Sequence, residues 1–170
     1  MIKMIAIVFV ASGFAFSGHC IASFQRKRAE ILGEIVNMIS FMQTRLRYEC
    51  LPLAALLKSL EDNRKTGNLS FVSACREKTE KGESFSSAWR ESIENEKELC
   101  GLLRNVIPCL ISLGEDLGTT DLEGQLSCCG YYERIFSGEL KEREEQNRKY
   151  LRLYPALGAM LGIWAAILII

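Results

Sequence analysis

The chain is poor in histidine and proline, with one and three of them in 170 residues. The single histidine, His19, lies near the N-terminus, so the remainder has no imidazole for acid–base work or metal ligation. With so few prolines, long stretches are open to uninterrupted helix. No G-x-x-x-x-G-K-[ST], H-E-x-x-H or G-x-S-x-G pattern occurs, which removes the common phosphate-loop, zinc-protease and serine-hydrolase signatures. Glu115, Asp116 and Asp121 read as capping or solvated carboxylates rather than as an acid–base pair. The expectation is a protein without catalytic activity, without a metal and without a cofactor.

Net charge is missing as well. Twenty-one bases balance 21 acids, which gives no electrostatic reason for a nucleic-acid partner. Cysteine is present, but its seven copies (Cys20, Cys50, Cys75, Cys100, Cys109, Cys128, Cys129) are odd in number and form no C-x-x-C pair. The adjacent Cys128 and Cys129 cannot easily point at one ion from a helix. In a reducing compartment such thiols are small buried apolar groups or inert surface groups.

Charge itself is scarce at both ends. Before Arg26 the only charged side chain is Lys3, and after Arg152 there is none, so 20 bases and 21 acids crowd into the middle. Met4–Phe24 is a 21-residue apolar run, about 30 Å as helix and so about the thickness of bilayer hydrocarbon. Leu153–Ile170 spans roughly 27 Å by the same arithmetic. Both read as transmembrane helices, with Pro155 suited to a first helical turn. Arg26, Lys27 and Arg28 flank the first run, and Lys141, Arg143, Arg148, Lys149 and Arg152 precede the second, which places the middle in the cytoplasm and both termini across the membrane. On this reading the chain stops where its last residues have crossed the membrane. His19 sits near the end of a span, where it stays neutral or reaches the interface, and defines no site. The expected division is therefore a span over 1–24, a cytoplasmic domain over 25–152 and a second span over 153–170.

The middle has helical period throughout. Leu32, Ile35, Ile39, Met42 and Leu46 alternate by three and four, the stripe of a packed helix running on from the first span. Pro52 opens a second helix to Arg64, with Leu53, Leu56, Leu57 and Leu60 on one side. After a break at Thr66–Asn68 a third helix runs from Leu69 to Lys81 and stops at Gly82. Ser84 caps a fourth that carries Phe85, Ala88 and Trp89. A fifth, Lys97 to Glu115, presents Leu99, Leu102, Leu103, Val106 and Leu110, and Pro108 should kink it. Thr120 with Glu123 forms a capping box at the start of a long last helix through Leu122, Leu126, Cys129, Ile135 and Leu140. The fold class is all-α: a six-helix cytoplasmic bundle flanked by an N-terminal and a C-terminal transmembrane helix.

These parts, in this order, resemble the stage III sporulation protein AB family. The resemblance is carried by "RYECLPLAALLKSLE" (Arg47–Glu61), "FSSAW" (Phe85–Trp89), "LGTTDLEGQL" (Leu117–Leu126) and the closing "RKYLRLYPALGAMLGIWAAILII". It covers essentially the whole chain. Two departures concern local packing: Leu51-Pro52-Leu53 stands where the family usually has Thr-Pro-Leu, and Tyr154–Gly158 stands where Ser-Leu-Gly is more frequent.

The resemblance implies a sporulation protein made in the mother cell and embedded in the membrane around the forespore. It also implies a cytoplasmic domain like the F-type inner-membrane platform domain of type II secretion and type IV pilus machines. Such a platform would dock the cytoplasmic secretion-type ATPase of the same operon and support a transenvelope channel with other membrane subunits. The alternatives are a general secretion-like or pilus-like membrane assembly protein outside sporulation, and an exported helical cysteine-containing protein with a cleaved signal peptide.

A platform works through surfaces. In the spans, Gly158, Gly162 and Ala166 form one small-residue stripe and Ala11, Ala15, Gly18 and Ala22 another, suited to pairing the spans or joining copies of the chain. In the cytoplasmic part the candidate contact site is Leu117, Gly118, Thr119, Thr120, Asp121 and Gln125. Its structural reading is Gly118 for a backbone turn and Thr120 and Asp121 for capping. Lys141–Arg152 offers cations to anionic lipid or to the ATPase, but Glu142, Glu144 and Glu145 dilute them.

Overall fold

The computed structural model describes residues 23–63 and 69–149 with their side chains, and the backbone alone for 2–22 and 150–167. Seven helices and no strand occur among the described residues: α1 Ile2–Glu49, α2 Leu53–Glu61, α3 Ser70–Glu80, α4 Phe85–Asn95, α5 Lys97–Leu102, α6 Ile107–Thr119 and α7 Leu122–Ile167. The all-α expectation holds. Among the described residues no helix is long and apolar enough to cross a membrane. The two expected spans lie outside the residues described with their side chains, apart from Ser23 and Phe24, as do the stripes Ala11, Ala15, Gly18, Ala22 and Gly158, Gly162, Ala166, and also His19 and Cys20. Met1–Ala29 with Lys141–Ile170 form one compact unit, and Glu30–Leu140 form a second.

In the second unit the stripe expected on α1 is the core: Leu32, Ile35, Ile39, Met42 and Leu46 are all fully buried, joined by Met38. Three- and four-residue steps keep these side chains on one helical face, so their burial is a single event. They share a cluster with Leu56, Leu57 and Leu60 of α2, Phe71, Val72 and Cys75 of α3, and Ala88, Trp89 and Ile93 of α4. Helix α4 packs against α3, α5 and α6, and α3 packs against α2.

Helix ends follow local chemistry. Pro52 is the N-cap of α2 at φ −64° and ψ 152° rather than its first helical residue, and no side chain caps that end. At the end of α3, Gly82 adopts φ +95°; its N–H donates to the Thr79 carbonyl at 3.1 Å and that of Glu83 to Lys78 at 3.2 Å. This pair of backward bonds is a Schellman stop, for which glycine is the best residue. Ser84 then caps α4, its hydroxyl oxygen accepting the Ser87 N–H at 3.3 Å.

The expected fifth helix is two. Pro108 does not kink a continuous helix but sits in the first turn of α6, after a break across Leu103–Val106. Proline lacks the N–H that would bond back and its ring collides with the carbonyl four residues earlier, whereas the first turn needs no such bond. The break keeps its apolar residues inward, since Leu99, Leu102, Leu103, Val106 and Leu110 are all buried.

Helix α7 departs from expectation at two positions. Its inward face is Cys129, Tyr132 and Phe136, while Leu122 and Ile135 are each 39% exposed. Steps of three and four from Cys129 reach Tyr132 and Phe136 and leave Ile135 to one side. Gly33 approaches Leu140, and Gly130 approaches Gln43, so α1 and α7 run alongside each other within this unit.

Candidate functional site

The α6–α7 corner, where the candidate contact residues lie, is built outward from Trp89. This indole is fully buried on α4, with the Phe71 ring edge-on at 5.2 Å and the Phe85 ring stacked at 5.6 Å. Its Nε1–H donates to the Leu110 carbonyl oxygen at 2.8 Å. A buried indole N–H without a partner is costly, so this bond fixes α6 against α4 as well as satisfying the ring. The close approach is possible because Gly114 has no side chain: a Cβ there would lie 2.1 Å from Trp89 Cδ1.

One turn further along α6, a Cβ on Gly118 would lie 2.2 Å from the Ser86 hydroxyl oxygen. Gly118 leaves room for the Ser86 hydroxyl at the start of α4, which a side chain there would turn aside, while Phe85 and the Ser86 Cβ stay at 3.6 Å. It lies inside helix α6 and not in a turn, which corrects the reading of it as a turn residue. Leu117 is fully buried and belongs to the core.

The turn itself is held by side chains. Thr119 donates its hydroxyl to the Glu115 carbonyl at 3.1 Å, and Thr120 donates to the Asp116 carbonyl at 2.8 Å. Asp121 accepts the Gly124 N–H at 2.9 Å and is the cap of α7. The capping box expected from Thr120 and Glu123 is thus displaced by one residue: the Asp121 carboxylate is a charged acceptor for the orphan N–H, and Thr120 is turned back onto α6. Gln125 closes the corner, its amide donating to the Leu117 carbonyl at 3.1 Å and the Thr120 carbonyl at 3.2 Å. Thr119, Thr120 and Asp121 remain exposed on its outer surface.

Two residues of this corner have no local sequence signal. The Tyr132 hydroxyl donates to the Asp116 carboxylate at 2.8 Å and joins α7 to α6 across 16 positions. Burial, and then this bond, raise the Tyr132 phenol well above its ordinary value. Ion pairs dress the surface nearby: Arg90 with Glu115 joins α4 to α6, and Lys78 with Glu91 joins α3 to α4. Arg76 meets Glu61 at 2.5 Å and Glu80 at 2.6 Å, tying α3 to α2.

Four of the described thiols are held back from reaction by burial. Burial pushes Cys75 and Cys129 up to about 12 and Cys128 up to about 11, and it raises Cys109 as well. A thiol held protonated is a poor nucleophile and a poor metal ligand. Among the described residues no group of three or more His, Cys, Asp or Glu is placed to hold a metal ion. Cys50 is exposed and stands at φ 48° where α1 ends.

Fold and site together define an all-helical protein whose polar side chains at this corner cap, bridge and close its helices. The model of the family described as stage III sporulation protein AB (spore_III_AB) matches residues 3–170. The chain belongs to that family and is a sporulation-related protein. No match was found among curated proteins or among solved structures.

Proposed function

We propose that this protein is a non-enzymatic scaffold subunit of a sporulation membrane complex. It is anchored by its two apolar ends and holds its helical bundle on the cytoplasmic, mother-cell side. There the bundle docks the secretion-type ATPase of the same operon, within a channel complex between mother cell and forespore that contains other membrane subunits and further copies of this chain. The bundle would play the part that F-type platform domains play in type II secretion and pilus machines.

One observation carries this reading: α1 and α7 each run unbroken between an apolar terminal run and the bundle core, as Ile2–Glu49 and Leu122–Ile167. A protein that holds position between a membrane and a partner needs such helical continuity; in α7, Pro155 lies inside the helix and not in a first turn as expected, and its missing N–H leaves one backbone bond unmade. The chemistry of the corner agrees, since Asp116, Asp121 and Gln125 are engaged in holding helices together.

The test is site-specific photocrosslinking in sporulating cells from exposed positions of the bundle, Thr119, Asp121 and Glu94. The scaffold reading expects a crosslinked ATPase from at least one of them. Adducts confined to lipid, or none to any ATPase from the whole set, would remove the docking role.

A further inference from the structure

Charge is divided between the two compact units far more sharply than along the sequence. Residues 1–29 and 141–170 carry nine bases against three acids, a net of +6, and residues 30–140 carry 12 against 18, a net of −6. Within the basic unit the acids are themselves displaced toward the bundle. No carboxylate side chain occurs in residues 1–29 or 146–170, whereas Arg26, Lys27, Arg28, Arg148 and Lys149 stand directly beside the apolar runs. Arg26, Lys27, Arg148 and Lys149 are exposed.

A second observation concerns the rim of the first apolar run. Phe24 is 48% exposed, and the Arg28 guanidinium lies 5.5 Å from the centre of its ring. An exposed aromatic ring covered by a cation is poorly placed for water alone and well placed for the headgroup level of a bilayer, where ring and charge each meet a matching layer.

We infer that Arg26, Lys27 and Arg28 of α1, with Arg148 and Lys149 of α7, form a collar that binds the phosphates of anionic phospholipid headgroups. The inference rests on the membrane reading proposed above. Phosphate recognition needs cations near the hydrocarbon boundary in excess of carboxylates, and Glu30, Glu144 and Glu145 lie about one helical turn farther from the apolar runs than Arg26, Arg148 and Lys149. The net −6 of the bundle has the opposite consequence: an anionic surface repels it and leaves its sides available to a protein partner.

The experiment uses the full chain in nonionic detergent, incubated with an equimolar mixture of phosphatidylglycerol and phosphatidylcholine and read by native mass spectrometry. The expected result is preferential retention of phosphatidylglycerol. A cation close to an anionic surface contributes about fivefold in affinity, so R26Q/K27Q/R28Q should lower the retention ratio by about tenfold or more. The charge-matched variant K58Q/K81Q/K97Q, at exposed bundle positions, should leave the ratio unchanged. R26K/R28K should keep it, because a point charge suffices for a phosphate.

Excess inorganic phosphate should also leave the ratio unchanged, which separates a headgroup site from a site for free phosphate. Equal retention of the two lipids, equal loss in both triple variants, or competition by inorganic phosphate would overturn the collar. Failure of the membrane reading itself shows separately, as release of the wild-type chain from membranes by alkaline carbonate whatever the lipid.

Discussion

Replacing Gly114 by alanine should destabilise the bundle by about 3 kcal/mol, although alanine is the better helix former. The added methyl would lie 2.1 Å from Cδ1, 2.4 Å from Cγ and 2.5 Å from Nε1 of Trp89, where carbon contacts normally settle at about 3.5–4.0 Å. The indole must therefore retreat by more than about 1 Å. It is fully buried between Phe71 and Phe85 and has nowhere to go without disturbing them. Overpacking of this kind costs about 1–3 kcal/mol. Retreat also stretches the 2.8 Å bond from Nε1–H to the Leu110 carbonyl, and a buried donor without its acceptor costs about 1–3 kcal/mol.

Against this, the intrinsic gain of alanine over glycine in a helix is about 1 kcal/mol. Gly138→Ala supplies the internal control, because a methyl there meets nothing within 4 Å and should stabilise by about 0.5–1 kcal/mol. The assay is urea unfolding of the full chain in nonionic detergent, followed by circular dichroism. A Gly114→Ala midpoint indistinguishable from wild type, or equal losses in the two variants, would refute the packing argument.

Backbone sign should show at two helix ends: Gly82→Ala, at φ +95°, should cost about 1 kcal/mol, and Cys50→Gly, at φ 48°, should gain up to about 1 kcal/mol in the same assay. Alkali should unfold the bundle through its thiols. Cys75 and Cys129 have folded values of about 12 against an ordinary 9.0, so the folded state holds protons that the unfolded state releases. Their contribution is complete below pH 9 and is lost as pH rises toward 12. A stability profile flat from pH 8 to pH 11 would contradict this. Alkylation at neutral pH should mark Cys50 first and spare Cys75 and Cys129 until urea is added, as read by peptide mass spectrometry.

Features set by a few consecutive residues were legible before the structure. The α1 stripe, the Gly82 stop and the Ser84 cap each depend on one helical turn or one backbone angle. Misreadings arose where two local solutions compete. Thr120 and Glu123 match the spacing of a capping box, yet Asp121, one residue on, presents a carboxylate to the same end and takes the bond. Pro108 satisfies both a kink and a helix start, and only the packing of Leu103 and Val106 decides for the start. The Asp116–Tyr132 bond and the Trp89–Gly114 approach were not legible, because they join residues 16 and 25 positions apart that no periodicity relates.

The central claim is that two apolar ends fix a cytoplasmic bundle to the membrane, and Cys50, the exposed thiol at the end of α1, reports on it. Intact sporulating protoplasts would be treated with a membrane-impermeant maleimide, with or without prior lysis, and then fractionated in alkaline carbonate. The account predicts that the chain is recovered in the pellet and that Cys50 is labelled only after lysis. Recovery of the chain in the supernatant, or labelling of Cys50 in unbroken protoplasts, would contradict it.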